Sequence, residues 1–135
     1  MLSKKTKYAF QALIYLAKNR DESPVLISHI AKETNISKKF LENILLDLKK
    51  AGFLGSKMGK GGGYYLIKEP KDVIMANVIR LFSGPIALLP CVSLNYYEPC
   101  ADCESQDTCE LHKVMVEVRD QSLKILEGKT LQDLV

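Results

Sequence analysis

One apolar arc runs through "KKFLENILLDLKKAG", residues 38–52, and ends at a glycine, after which the chain changes its pattern. Phe40, Leu41, Ile44, Leu45 and Leu48 recur at helical spacing, so this segment is expected to form a helix with one buried face. Gly52 suits the residue that closes a helix in a left-handed conformation, and Ser37 can accept a hydrogen bond from the first free N–H groups. The segment that follows, "FLGSKMGKGGGYYLIK" (53–68), places two short apolar runs around "KMGKGGG". Three consecutive glycines permit positive φ and a tight reversal, which predicts a two-stranded hairpin with a basic, flexible tip.

The elements upstream complete a recognisable order. "TKYAFQALIYLAKN" (6–19) reads as a helix with Tyr8, Ala9, Ala12, Leu13, Leu16 and Ala17 on one face, and Phe10 and Ile14 add a second stripe. That helix is expected to be covered on two sides. After the break at "DESP", "LISHIAKET" (26–34) gives a short second helix around Ile27, Ile30 and Ala31, and "NIS" is a turn. Two helices joined by a tight turn, the second with Lys38, Lys39, Glu42, Asn43 and Lys50 on its outer face, match a helix-turn-helix. Leu46 lies on that outer face as well, without a reason visible in the sequence.

Downstream, "MANVIRLFS" predicts a fourth helix ended by Gly84–Pro85, and residues 86–108 show no periodicity. A last helix is expected from about Cys109 to Glu127, with Leu111, Val114, Met115, Val118, Ser122, Ile125 and Leu126 in one stripe. "TLQDLV" is read as a final turn. The expected fold is mainly α: a winged helix-turn-helix with a two-stranded β wing and a long C-terminal dimerisation helix. The expected division is a DNA-binding domain at 1–83, a cysteine-rich loop at 84–108, and a dimerisation helix and tail at 109–135. The last helix has a stripe long enough to pair with its copy. A two-fold dimer would set two such helices about 34 Å apart on a palindromic site.

Charge separates the chain into halves. Residues 1–69 carry 13 Lys/Arg against 6 Asp/Glu, and residues 70–135 carry 6 against 10. The basic half suits a polyanion. On the third helix Ser37, Lys38, Lys39, Glu42 and Asn43 stand where side chains reach base edges: Glu42 could accept from a cytosine amino group, and Asn43 could pair with adenine. On the hairpin Lys57 and Lys60 can reach phosphates or the neighbouring minor groove. Gly61 and Gly62 allow close backbone approach, and Tyr64 joins the same candidate set. His29 is read as a surface residue of the helix-turn-helix. No apolar run approaches the roughly 18 residues of a membrane span, and the first residues lack a signal-peptide pattern, so a cytoplasmic protein without membrane contact is expected.

All four cysteines fall within residues 91–109, in the pattern C-x8-C-x2-C-x5-C-x2-H that ends at His112. In the cytoplasm such clustering favours metal or redox chemistry over structural bridges. Cys100, Cys103, Cys109 and His112 would make a tetrahedral zinc set. An iron–sulphur cluster also takes three or four thiolates on an irregular loop, and spacing does not choose between the two. Asp102, Glu104, Asp107 and Glu110 lie nearby and favour neither. His112 follows Cys109 by three residues, so the two share a helix face.

"KYAFQAL", "ISHIAKETNISKKFLENILLDLKKAGFL", "GKGGGYYL", "CESQDTCELH" and "TLQDLV" together resemble the bacterial iron–sulphur regulator family of winged-helix repressors, which includes the IscR, NsrR, RirA and CymR types. The resemblance spans essentially the whole chain. It implies a homodimeric transcription regulator, not an enzyme, with crossed C-terminal helices and a loop whose cluster reports iron–sulphur status, iron, oxygen or nitric oxide. It implies Cys91, Cys103, Cys109 and His112 as ligands of a 2Fe–2S cluster, while Cys100 in place of His112 would suit 4Fe–4S. Glu42 matches the acidic residue that separates operator classes in the IscR branch. Lys7 stands where the NsrR branch has an acidic ligand, against that ligand scheme, and the CymR branch lacks a cluster. The ligand pattern is nearest the IscR and RirA branches. Two other readings differ in class: a zinc-stabilised winged helix used for protein interaction, and a redox enzyme using "CADC" as a dithiol pair, which lacks a thioredoxin-like setting.

Overall fold

The computed structural model describes residues 2–135. Helix α1 (Lys4–Lys18) begins where the Ser3 hydroxyl accepts from the Thr6 N–H at 3.1 Å. Helix α2 (Ile27–Thr34) ends at Asn35, whose φ of 56° is one that asparagine tolerates. Helix α3 (Lys38–Lys50) starts at Ser37, whose hydroxyl accepts from the Phe40 N–H at 3.3 Å. Leu41, Ile44, Leu45 and Leu48 are fully buried, each stabilising by about 1.5–3 kcal/mol through removal from water. Phe40, expected in the same arc, is 39% exposed instead. It sits at the rim of the arc and packs edge-on against Tyr8, with ring centroids 5.4 Å apart.

Strands β1 (Leu54–Lys57) and β2 (Gly63–Leu66) pair antiparallel, Leu54 opposite Leu66 and Lys57 opposite Gly63. The hairpin is also tied to the segment before α2. The Val25 N–H donates to the Tyr64 carbonyl at 2.9 Å, and the Tyr64 N–H donates to the Val25 carbonyl at 2.8 Å. Gly63 makes this approach possible: its φ is 143°, and a Cβ there would lie 2.2 Å from the Val25 oxygen.

Helix α4 (Met75–Ser83) packs on α1 and on the last helix, α5 (Glu110–Gly128). The two-sided α1 is borne out, since Ala9, Phe10, Ala12, Leu13 and Leu16 are buried among α2, α3 and α4. Thr6 is buried too, its hydroxyl bonded to Ser3 Oγ at 2.8 Å and to Ser83 Oγ. After α5 the chain returns to the core. The Met75 N–H donates to the Lys129 carbonyl and the Leu131 N–H to the Val73 carbonyl, and Leu131 is 1% exposed. A short turn, Leu131–Leu134, follows the reciprocal Thr130–Asp133 cap.

Helix α5 covers one edge of its expected stripe and the side next to it: Met115, Ser122 and Leu126 are half-buried, and Leu126 packs against the core. Leu123 is its buried residue, with Val116 and Arg119 half-buried on the same side. Leu111, Val114, Val118 and Ile125 are all exposed, Ile125 by 59%. The helix is apolar around more of its circumference than α4 and the preceding loop can cover.

Candidate nucleic-acid interface and metal centre

Lys38, Lys39, Glu42 and Asn43 are exposed on α3, and Leu46 (41% exposed) continues their face. None of the four takes part in an ion pair among the described residues. Ser37 is exposed, but its hydroxyl is already engaged as the helix cap. At the far end of α3, Lys49 Nζ donates to Ser56 Oγ at 2.7 Å, which ties the helix to β1. Lys5 and Asp47 pair at 3.0 Å between α1 and α3.

The wing tip differs from a simple flexible loop. Gly59 and Gly61 have φ of 86° and 77° with open space around them. Gly62 is buried: its N–H donates to the Gly59 carbonyl at 3.0 Å, and a Cβ there would lie 2.4 Å from the Lys57 carbonyl oxygen. Loop closure alone therefore accounts for a glycine at 62. Lys57 and Lys60 project into solvent. Tyr64 is half-buried against the core while its backbone holds Val25. His29 is exposed, with its ring 6.2 Å from that of Tyr15.

The cysteine segment starts on a turn, Pro90–Val92, that leaves Val92 1% exposed and Ser93 6% exposed. Arg119 of α5 fixes this turn. Its Nη1 donates to the Val92 carbonyl at 2.9 Å, while Nε and Nη2 donate to Asp120 Oδ1. Cys91 is half-buried and its Sγ lies 3.4 Å from His112 Nδ1. Cys109 is the N-cap of α5, its sulphur accepting from the His112 N–H at 3.4 Å. Cys100 is exposed, and its carbonyl accepts from the Cys103 N–H at 3.2 Å in a tight turn. All four thiols are free.

Cys91, Cys100, Cys103, Cys109 and His112 line one cavity of about 380 Å³, with Leu89 and Leu111 on its walls. Soft thiolates and an imidazole around a partly apolar cavity are the donors that zinc and iron–sulphur groups take. In chemistry and placement these residues fit such a group. Among the described residues, however, no three of these side chains stand close enough to form a ready-made chelate. The contact between Cys91 and His112 is the part already assembled.

Sequence reasoning passed over Arg119. Its signal is legible in retrospect: His112, Val116, Arg119 and Leu123 follow one another around the inner side of α5, an unusual place for a guanidinium. It also passed over Met58, 97% exposed at the wing tip, and the pairing of Val25 with Tyr64. No helix among the described residues is long and apolar enough to cross a membrane.

The family profile described as Rrf2, iron-dependent transcriptional regulator, matches residues 2–135. The chain is 44% identical to an HTH-type, rrf2-like transcriptional regulator of Rhodobacter capsulatus, over 100% of this chain and 92% of that protein. Among solved structures it is similar to CymR, the global cysteine regulator of Bacillus subtilis. The identity is 32% and the TM-score 0.79, covering 99% of this chain and 95% of that one. It is also similar to IscR of T. potens, at 28% identity and a TM-score of 0.76, covering 99% and 85% respectively. With its wing, helix-turn-helix and C-terminal helix in that arrangement, the chain belongs to the Rrf2 family and is a DNA-binding winged-helix transcriptional regulator, not an enzyme.

Proposed function

We propose that this regulator is a cytoplasmic homodimeric repressor that binds a palindromic operator and senses iron–sulphur, iron or redox status through an iron–sulphur cluster. Cys91, Cys103, Cys109 and His112 would hold the cluster, 2Fe–2S in preference to 4Fe–4S, with Cys100 as the alternative fourth ligand. The observation that carries the reading is the contact of His112 with Cys91, which brings together the two ends of the cysteine segment across 21 positions. Such a cluster supplies reversible one-electron chemistry and lability toward oxidants. The likeness to a cysteine regulator favours a thiol-borne signal instead, but that branch gives no reason for four clustered cysteines.

The chain's own residues supply the coupling. Arg119 ties the Cys91 turn to α5, α5 packs on α4, and Ser83 at the end of α4 bonds to Thr6 of α1. Helix α1 in turn carries α3 through Tyr8–Phe40 and Lys5–Asp47. A displaced Cys91 turn therefore reaches α3 through packed groups, and a preference of a few kcal/mol between two arrangements suffices for a switch. The exposed stripe of α5 is the surface a second copy would cover, setting the spacing of two α3 helices. On DNA, Ser37, Lys38, Lys39, Glu42 and Asn43 enter the major groove, and Lys57, Lys60, Gly61, Gly62 and Tyr64 support the wing contact.

Anaerobic purification with iron, sulfide and zinc analysis and an absorption spectrum tests the cofactor. A brown protein with iron and sulfide in equal amounts is expected. A colourless protein with one zinc per chain would overturn the cluster and leave a zinc-stabilised module. For DNA, binding should weaken with salt at a log–log slope of about −0.9 per phosphate contact. Absence of salt-dependent binding to any duplex, in either metal state, would overturn the operator reading.

A further inference from the structure

We propose that Met58 is a DNA-contacting residue of the wing, an apolar side chain seated in the minor groove between two phosphate-binding lysines. The proposal rests on the operator reading above and deepens it. Met58 is 97% exposed, the highest value of any large apolar residue described, and Lys57 and Lys60 flank it without an ion pair among the described residues.

A single exposed apolar side chain usually needs no explanation. Here the scaffold beneath it gives one. The tip is closed by the Gly62 N–H on the Gly59 carbonyl, with Gly62 packed against the Lys57 carbonyl. Its base is held to Val25 by two hydrogen bonds and to α3 through Lys49 and Ser56. A segment fixed at so many points presents its outermost side chain at a defined place relative to α3, which lowers the ordering entropy of a contact there. The two lysines make the ends of that segment complementary to phosphate.

The minor groove is about 6 Å wide, and its walls are apolar deoxyribose faces. Methionine is slender, unbranched and flexible, so it can follow such a slot, and apolar side chains do enter minor grooves at base steps that unstack easily. Met58 offers no charge and no N–H donor. Its contact should therefore favour flexible pyrimidine–purine steps and A·T pairs, which lack the protruding guanine amino group.

The test uses the full-length protein in the metal state that binds DNA, and a duplex recovered by selection from a random library with the unaltered protein. Met58→Ala and Met58→Gln should each weaken binding by about tenfold, the lower end for losing a buried methionine side chain, while Met58→Leu retains most of it. Because methionine is uncharged, the salt slope should not change. Lys60→Ala should instead reduce the slope by about 0.9 per subunit. Repeating the selection with Met58→Ala should relax the preference at the wing-facing steps alone. Thermal melting of each variant checks that the fold is intact, as expected for so exposed a side chain. Unchanged affinity and unchanged sequence preference in Met58→Ala, with Lys60→Ala still lowering the slope, would overturn this inference and leave the operator reading standing. If the unaltered protein selects no duplex, both fail.

Discussion

Replacing Arg119 with methionine removes the guanidinium but keeps an apolar stem of similar length. The residue is well placed for such a test, since its side chain is 15% exposed and its Nη1 donates at 2.9 Å to the carbonyl of Val92, itself 1% exposed. Its other N–H groups meet Asp120, whose side chain is 56% exposed, so that ion pair contributes little. The bond to Val92 is charge-assisted, in the class worth about 1.5–3 kcal/mol, and its loss strands a carbonyl in a residue with almost no access to water. An overall loss of about 2 kcal/mol is expected. With a urea m-value of about 2 kcal/mol/M, the unfolding midpoint should fall by about 1 M at unchanged slope. Chain concentration must be held fixed, since pairing of two copies, as proposed, would make stability depend on it. The same variant should be cleaved faster by protease within residues 93–108, because the Cys91 turn loses its tie to α5. An unchanged midpoint together with unchanged loop cleavage would refute the reasoning.

Other consequences can be checked separately. Thr6→Val is nearly isosteric, so it tests only the hydroxyl bonded to Ser3 and Ser83; a loss of about 1 kcal/mol should lower the melting temperature by about 4 °C. Gly63→Ala puts a Cβ 2.2 Å from the Val25 oxygen at a φ of 143°, and should destabilise by about 2 kcal/mol or more while weakening DNA binding disproportionately. Retention of full binding would show that the wing's tie to Val25 is dispensable. If the proposed cluster is present, Cys100→Ser should retain iron after anaerobic purification, whereas His112→Ala should lose it or shift the spectrum; the reverse pattern would favour Cys100 as the fourth ligand. The hydrogen bond and charge of Arg20 hold the Glu69 carboxyl below its ordinary value of 4.5. That pair's small contribution is therefore present above 4.5 and lost as pH falls through the lowered value. Arg20→Gln should differ slightly from the unaltered protein near neutral pH, and the two melting curves should converge in acid.

Much of the architecture was legible in the residues because the apolar period is local. Leu41, Ile44, Leu45 and Leu48 announce α3, the glycines announce the wing, and four cysteines with one histidine announce a single ligand-rich segment. These depend only on which residues share a face or a turn. Period does not say which face finds a partner. Phe40 lies in the apolar arc yet sits at its rim against Tyr8. Gly62 was expected to admit DNA, and the loop's own closure already requires it.

The same limit governs the site. That Arg119 would hold the Val92 carbonyl, 27 positions away, depended on the angle at which α5 crosses the loop. That Ser83 would meet Thr6, and that Leu131 would return to a core begun by α1, depended on how all five helices pack. The sequence by itself determined the helices, the wing and the stock of thiol and imidazole side chains, because each is encoded within a few turns of chain. Only the tertiary structure decided that Cys91 meets His112, that Arg119 anchors the Cys91 turn to α5, and that Leu111, Val114, Val118 and Ile125 of α5 stay open, because each follows from packing among distant segments.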